Sequence, residues 1–463
     1  MPAQQRPIIV VTGANGGVGF GICHRLLVQL AHRNPPDASP RLFSPHPQIT
    51  IPDSVGSHDV PASTGATIVM ACRDRTRAER ARTQLLGLLD DHIAKLDARS
   101  AEGAYAREFR ANVELTVMYL DLSIMESVFN FGTEFGERYL YVSHLICNAG
   151  VAAFSHIGWG KFFKQLATKP MHTVEHPCYN IQTKGTRSKD GLGWTWQCNV
   201  FGHYVLLAPA RLIPGQFRTM QPVLNAYSRA VPASARVIWM SSIHASPEYD
   251  RVDWQLMDTV LAYEASKYQN DIIALELTRR ALLRTKEPVS ASGNGHAVAN
   301  GHANGHAVAN GNDNQQTSVV EDEADGQVLH YLVEPGITPT NFAALLLDQI
   351  PFGRFFMAAL FYIVRLMGSP HVLFSPYHAA LAAVQVALAV PPLPSVLTPH
   401  VHDPHHAMPK YGSQTDRWGA ERLGVAEARE VPKREGEGRV LLDKCEELYQ
   451  EVRNGMLEGK AED

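Results

Sequence analysis

The sequence lacks the cysteine spacing of a zinc ribbon or a disulfide framework. Its six cysteines, Cys23, Cys72, Cys147, Cys178, Cys198 and Cys445, are scattered and form no CxxC pair, so no metal site is expected and reduced thiols facing the cytosol are. It also lacks an excess of either charge. Forty-two basic against 46 acidic side chains leave a formal net charge of −4, which argues against a nucleic-acid partner, whose footprint is a strong basic surplus. No secretory leader is expected, because the apolar stretch Ile8–Val11 runs straight into glycines. What is present is a chain of 463 residues, 45% hydrophobic and 19% charged. That is enough to bury a large core, in one large domain with insertions or in two to three domains.

Short apolar runs alternate with segments of helical periodicity. Ile8–Thr12, Ala66–Cys72, Leu115–Leu120, Leu145–Cys147, Arg236–Met240 and Val328–Val333 have the continuous, β-branched character of strands buried on both faces of a parallel sheet. Val18–Leu30, Thr76–Leu96, Ile124–Phe135, Thr195–Leu212 and Leu261–Leu283 carry helical apolar spacing. The alternation predicts an α/β fold, a doubly wound parallel sheet of Rossmann type with right-handed crossovers. Three stretches interrupt it. Residues 34–65 are rich in Pro, Ser and His, and residues 151–193 form an enlarged connection carrying Trp159, Phe162 and Phe163. Residues 287–325 repeat GHAVAN and end in an acidic run, a composition that cannot offset its ordering entropy and is expected to be disordered.

The first strand leads into Thr12-Gly13-Ala14-Asn15-Gly16-Gly17-Val18-Gly19. A tight turn that lets backbone approach a pyrophosphate, followed by a helix N-terminus that receives the anion, needs this residue pattern in this strand–helix context. After the second strand, Arg73 precedes Asp74. An arginine there accommodates a 2′-phosphate, whereas a carboxylate binds both ribose hydroxyls, so NADPH is the expected cofactor. Asp121-Leu122 and Asn148-Ala149-Gly150, following the next two strands, are expected to line the same crevice.

Tyr263 and Lys267, in Tyr-Glu-Ala-Ser-Lys, are spaced i and i+4 at the start of a long helix and share one face. A cation beside a phenol favours the ionised form and is expected to move the tyrosine toward a useful acid/base value. Ser241 and Ser242 end the preceding strand with hydroxyls able to polarise a carbonyl, and Asn199 lies on the helix before it.

These motifs stand in the order found in the short-chain dehydrogenases/reductases, and the chain resembles that family over residues 7–345. Trp194–Leu207 (WTWQCNVFGHYVLL), Trp239–Ile243 (WMSSI), the enlarged segment before Asn199 and Lys410-Tyr411-Gly412 resemble, more narrowly, the fungal 3-keto-steroid reductases of sterol C4-demethylation. The resemblance implies an NADPH-dependent oxidoreductase that reduces a 3-keto sterol of zymosterone type to the 3-hydroxy sterol in ergosterol biosynthesis. It implies Tyr263 as general acid, Lys267 holding the ribose and lowering the phenol pKa, Ser242 on the substrate carbonyl with Ser241 beside it, and Asn199 keeping a water in the proton relay. The implied cofactor set is Gly13, Asn15, Gly17, Val18, Gly19, Arg73, Asp121, Leu122, Asn148, Gly150, Tyr263, Lys267, Gly336 and Thr340, the last two in Pro335-Gly336-Ile337-Thr338-Pro339-Thr340. One departure from the family is the interval of 21 residues between Ser242 and Tyr263, which requires the loop at His244–Val260 to bulge. Alternatives are a reductase for another lipid ketone, a hydroxysteroid or a retinal, and a catalytically idle membrane scaffold of a sterol enzyme complex, which would have no need for the Tyr263/Lys267 pair.

Past the motifs, Phe342–Leu347 and Phe352–Leu366 are strongly apolar, but only ten uncharged residues separate Arg354 from Arg365. A bilayer crossing needs about 20, so a helix lying in the membrane interface, or a lid over the substrate, is expected instead. Ala379–Val390 has the length of a core helix. His402, Asp403, His405 and His406 read as a solvated loop rather than a metal site, and the charged tail as a surface helix. The expected organisation is a reductase domain at 1–345, an apolar lid or membrane segment with a closing helix at 346–396, and a charged extension at 397–463. The expected setting is the cytosolic face of the endoplasmic reticulum membrane or a lipid droplet, beside other sterol C4-demethylation enzymes.

Overall fold

The computed structural model describes residues 6–39, 42–43, 65–208, 219–230, 235–284, 328–338, 352–389 and 407–462. The tract at 287–325, Thr340, the run at 342–347 and the histidines at 402–406 lie outside them. The strands are β1 (Ile8–Thr12), β2 (Leu42–Phe43), β3 (Thr67–Cys72), β4 (Glu114–Tyr119), β5 (His144–Cys147), β6 (Phe154–Ile157), β7 (Asn180–Gln182), β8 (Ala235–Met240), β9 (Val328–Glu334), β10 (Met408–Thr415) and β11 (Glu421–Ala428). Among the described residues, nine of them form one sheet in the order β2-β11-β10-β9-β8-β5-β1-β3-β4. Every pairing in it is parallel except β10 with β11. The doubly wound parallel sheet expected from the alternation is present.

Its inner strands β1, β3 and β8 are largely apolar and buried along their whole length because both faces are covered. Along β1, Ile8 and Val10 enter one core with Phe129, Trp196, Phe201 and Trp239, while Ile9 and Val11 enter the other with Leu26, Leu27, Leu85 and Phe109. Successive side chains pointing to opposite faces produce this partition. The covering helices start where polar side chains can hold orphan amides. Asp74 accepts from the Arg77 amide at 2.9 Å at the head of α2 (Arg75–Ile93), and Ser100 from the Gly103 amide at the head of α3 (Ala101–Asn112). By contrast α1 (Gly17–Leu30) begins after Gly16, with no side chain capping it.

The C-terminal part corrects the expected organisation. Residues 397–463 were expected as a charged extension, yet β10 pairs parallel to β9, β11 folds back on β10, and β2 from the first insertion pairs with β11. These strands are therefore part of the main sheet. Pro409, Gly412 and Gly424 interrupt the β-branched pattern by which a strand is read. The final helix does not simply ride on the surface either. Leu441, Leu442, Cys445 and Tyr449, at helical spacing within a charged sequence, are buried in the same core as Ile272 and Leu275.

The insertion at 151–193 forms a two-stranded antiparallel ribbon, β6 with β7, and the helices α5 (Trp159–Thr168) and α6 (Pro170–Glu175). Opposite it lies the apolar helix after the motifs, Gly353–Leu366. Phe361 and Val364 of that helix pack with Val174 of α6 and Val372 into a third, separate apolar cluster, with Ile337 beside it.

Candidate active site

The sequence-predicted residues converge because parallel strands end together. Thr12 pairs with Ala71, Val11 with Ile146, Cys147 with Trp239 and Met240 with Val333. Gly13, Arg73, Asn148, Ser241 and Gly336 thus emerge at one edge of the sheet, where the order runs outward on either side of β1. Ligands of open α/β sheets bind in this crevice.

The cradle on the β1 side is built from backbone. Gly13 and Gly17 have φ of +68° and +53°, the left-handed region that glycine adopts without strain. A Cβ on Gly19 would stand 2.3 Å from the Gly13 carbonyl oxygen and 2.5 Å from Asn148 Nδ2. Asn148 closes the turn by donating to the Thr12 carbonyl at 2.9 Å, and the amides of Asn148 and Ala149 donate to Thr12 Oγ1, each at 2.9 Å. With no side-chain cap, α1 offers the amides of its first turn and its positive dipole end. The cleared cradle and the uncapped helix fit a dinucleotide pyrophosphate. Asp74 is engaged as the cap of α2, while Arg73 is exposed. Arg77, which the sequence reading did not single out, reaches to 3.8 Å from the Cβ position of Gly16. Its signal was its place four residues after Arg73, in the first turn of α2.

Asp121 accepts from the amide and hydroxyl of Ser123 at 2.9 and 2.7 Å, and Leu122 is buried against Gly202. On the other side Gly336, φ +68°, is gripped by Leu373 and the His371 and Ser413 carbonyls, and Ile337 pairs with the 371–373 segment. Thr338 Oγ1 is buried with no hydrogen-bond partner among the described residues. Asn15 and Val18 lie within the cradle, and Gly150 faces Asn199 Oδ1 and Lys267 Nζ.

Asn199 sits where the helix changes pitch: α7 (Trp194–Trp196) passes through a π turn, Gln197–Phe201, into α8 (Gly202–Leu207). Single π turns of this kind are frequent at functional sites. Fully buried, Asn199 accepts from the Val151 amide at 2.7 Å and donates to the Val151 carbonyl and to Ser266 Oγ, both at 2.9 Å. Ser266 donates to the Tyr263 carbonyl at 2.7 Å. His203, one turn on, lies 3.0 Å from Thr12 Oγ1 and ties this helix to the cradle.

Tyr263 and Lys267 lie in the first turns of α10 (Ala262–Arg284). The insertion positions that helix: Gln182 accepts from the Tyr263 amide at 2.9 Å and donates to Glu264 at 2.6 Å. Phe154 approaches the Tyr263 ring at 6.4 Å between centroids. The long interval after Ser242 is absorbed as expected by a bulged loop. Trp254 in it packs edge-on to Trp196, Leu256 takes a left-handed φ of 58°, and the Ser246 amide returns to the Glu264 carbonyl. Ser242 is thereby delivered to the Tyr263 phenol, to which it hydrogen-bonds.

Lys267 is buried, donates to the Met240 carbonyl at 2.7 Å, and holds Nζ 5.8 Å from the Tyr263 ring. The electrostatics differ from the expectation. Burial pushes the Tyr263 phenol up to about 12, opposed by the Ser242 hydrogen bond, so desolvation outweighs any cationic lowering. Burial also lowers Lys267 to about 8, against the pull of Asp271 and Cys147. A phenol that stays protonated beside a serine hydroxyl and an ammonium can donate a proton to a bound oxygen.

No family model matches the chain. It does resemble the fungal 3-keto-steroid reductases over most of its length. It is 25% identical over 423 residues to the 3-keto-steroid reductase of Candida glabrata, covering 91% of this chain and 88% of that one. With those of Aspergillus fumigatus and Saccharomyces cerevisiae it shares 27% over 395 residues and 25% over 385, covering 82% and 83% of this chain and 72% and 81% of theirs. Among solved structures, the RhlG/NADP active-site complex of Pseudomonas aeruginosa aligns with a TM-score of 0.40 at 13% identity, over 82% of this chain and 88% of that one.

Proposed function

We propose that this chain is an NADPH-dependent 3-keto-steroid reductase, converting a sterol ketone of zymosterone type to the 3-hydroxy sterol. The observation that carries the reading is the hydrogen-bonded Ser242–Tyr263 pair with Lys267 beside it at the sheet's strand ends. Its similarity to 3-keto-steroid reductases over 91% of the chain selects the substrate class. The reduced nicotinamide, when bound, supplies a hydride to the carbonyl carbon. Tyr263 Oη gives its proton to the carbonyl oxygen, Ser242 Oγ holds that oxygen, and the Lys267 ammonium stabilises the phenolate left behind. Asn199 and Ser266 fix the start of α10 so that these groups stay in register. Gly13–Gly19 and the α1 amides would hold the pyrophosphate. Arg73, with Arg77 near it and Asp74 already engaged as a helix cap, favours the 2′-phosphate form. Loss of NADPH absorbance with a 3-keto sterol in detergent tests the reading. Absence of turnover with any 3-keto steroid would reject it.

The same reading sets the enzyme on a membrane surface. Among the described residues no helix is long and apolar enough to cross a membrane. Yet the helix Gly353–Leu366 turns Phe361 and Val364 inward and leaves Phe355 and Phe356 outward, 71% and 64% exposed, with Tyr362, Ile363 and Leu366 also exposed. Helix α5 adds exposed Trp159 and Phe163, interleaved with Lys161 and Lys164. Aromatic and aliphatic side chains on an otherwise polar surface suit an interfacial helix, whose inner face serves as the lid. This supports attachment to the cytosolic face of the endoplasmic reticulum or to lipid droplets, beside the enzymes that make its ketone. Wild-type protein should float with liposomes, whereas a variant with Phe355, Phe356, Ile363 and Leu366 changed to Ser should sediment and still bind NADPH. A wild type that sediments leaves only the lid.

A further inference from the structure

One buried ion pair stands outside the residues assigned so far. Lys410, on β10, donates from Nζ to Asp271 Oδ2 at 2.8 Å, to Ser241 Oγ at 3.3 Å and to the Ser242 carbonyl at 3.4 Å. The ammonium and the carboxylate are both buried, with side chains 10% and 7% exposed. Asp271 follows Lys267 by one helical turn, on the same face of α10. Its second oxygen, Oδ1, is buried and has no hydrogen-bond partner among the described residues. Glu334, at the end of β9, is the third charged group. Gly412 leaves room for it, since a Cβ there would lie 2.8 Å from Glu334 Oε1.

A charge pair this deep is weak evidence for stability, because well-packed apolar residues of similar volume often do as well. Its location is more informative. One partner touches the two serines at the end of β8, and the other lies a turn from the active-site lysine. We infer that Lys410 and Asp271 are positioning residues for the reaction: Lys410 fixes the turn that presents Ser242, and Asp271 is the counter-charge of Lys267. The inference rests on the reading of Tyr263 and Lys267 given above.

The groups around Lys267 define what should change. From α10 it faces Tyr263 and Asp271, from the end of β5 Cys147, from α8 His203, and from β8 the Met240 carbonyl. From β10 and β9, Lys410 and Glu334 interact in turn with Asp271 and with each other. Burial lowers the Lys267 pKa and Asp271 raises it. Removing the carboxylate therefore moves loss of the Lys267 proton to lower pH.

The experiment uses the full chain with NADPH and a 3-keto steroid. Asp271→Leu/Lys410→Met replaces the pair with apolar side chains. It should fold and bind NADPH, lose about ten- to a hundredfold in kcat with little change in KM, as misplacement of reacting groups does, and shift the basic limb of its pH profile to lower pH. Lys410→Arg should recover most of the lost rate. Wild-type kcat and an unshifted limb in the double variant would overturn the inference and leave the pair structural. If that variant does not fold, Asp271→Asn carries the same expectation for the basic limb, and an unmoved limb overturns it. Trace acetylation of Lys267 as a function of pH, read by peptide mass in wild type and Asp271→Asn, needs no turnover. It tests the counter-charge even if the substrate assignment fails: a midpoint that moves down supports it, and an unchanged one refutes it.

Discussion

The cradle proposed for the cofactor and the cluster proposed to donate the proton lie at the same strand ends and are built on opposite plans. The cradle is mostly backbone: eight consecutive residues from Thr12 to Gly19, four of them glycine, with an uncapped helix behind them. The cluster is side chain: Tyr263 and Lys267 from α10, Ser242 from the end of β8, Asn199 from a π turn, and Gln182 from the insertion. A site made by clearance fails when an atom is added, and one made by contacts fails when an atom is removed.

The largest effect should come from removing one oxygen on the contact side. Tyr263→Phe is expected to lower kcat by roughly 10²–10⁴-fold, the usual worth of a positioned general acid, with NADPH affinity nearly unchanged in a fluorescence titration. On the clearance side, the sharpest break adds one carbon. Gly19→Ala drives a methyl against the Gly13 carbonyl and should lose about 1–3 kcal/mol in stability, read as a lower melting temperature, along with NADPH binding. Gly16→Ala is its control. The Gly16 Cβ position meets nothing nearer than Arg77 at 3.8 Å, and its φ of −178° is extended, so its stability should stay within about 0.5 kcal/mol of wild type.

Arg73→Ala probes where the cradle stops being backbone. It should weaken NADPH by about 1.5–3 kcal/mol, the worth of a charge-assisted contact, and leave NADH nearly unaffected. Equal losses would locate the 2′-phosphate elsewhere. The smallest expected effect is one of pH. Lys267 sits at about 8 and Tyr263 at about 12. As pH rises through 8 the ammonium loses its proton while the phenol keeps its own. Steady-state kcat should therefore fall on the alkaline side from about pH 8, and a plateau reaching pH 10 would count against Lys267 acting as a cation.

The two plans also explain what could be read from the sequence. The cradle is contiguous, so a strand, a glycine turn and a helix stand together in the chain and announce their geometry. Tyr263 and Lys267 were legible for the same reason, being one turn apart. Ser242 was legible as a residue, but its delivery to Tyr263 depends on a loop carrying Trp254 and Leu256 that no local pattern encodes. His203, Gln182 and Lys410 gave no signal of their roles, since their partners lie 191, 81 and 139 residues away. The phenol's electrostatics were misjudged because spacing reveals a neighbouring cation but not how much water burial removes. The outer strands were missed because Pro409, Gly412 and Gly424 dilute the apolar signal that marked the inner ones. Thr340 lies outside the described residues, so the structure adds nothing to its reading.

The joining of Leu42 and Phe43 to Leu423 and Gly424, and the burial of Leu441, Cys445 and Tyr449 in the core shared with α10, bear on how the chain is made. Contacts so distant in sequence raise contact order and slow folding. During synthesis, at roughly 5–20 residues per second, the helix bearing Tyr263 would leave the ribosome well before the segment that covers it. In that interval α10 would expose Ile272 and Leu275 to solvent or to any apolar surface nearby. The nascent chain therefore passes through a stage with its glycine-rich turn already synthesised and α10 uncovered, when chaperone binding or early contact with lipid would matter most.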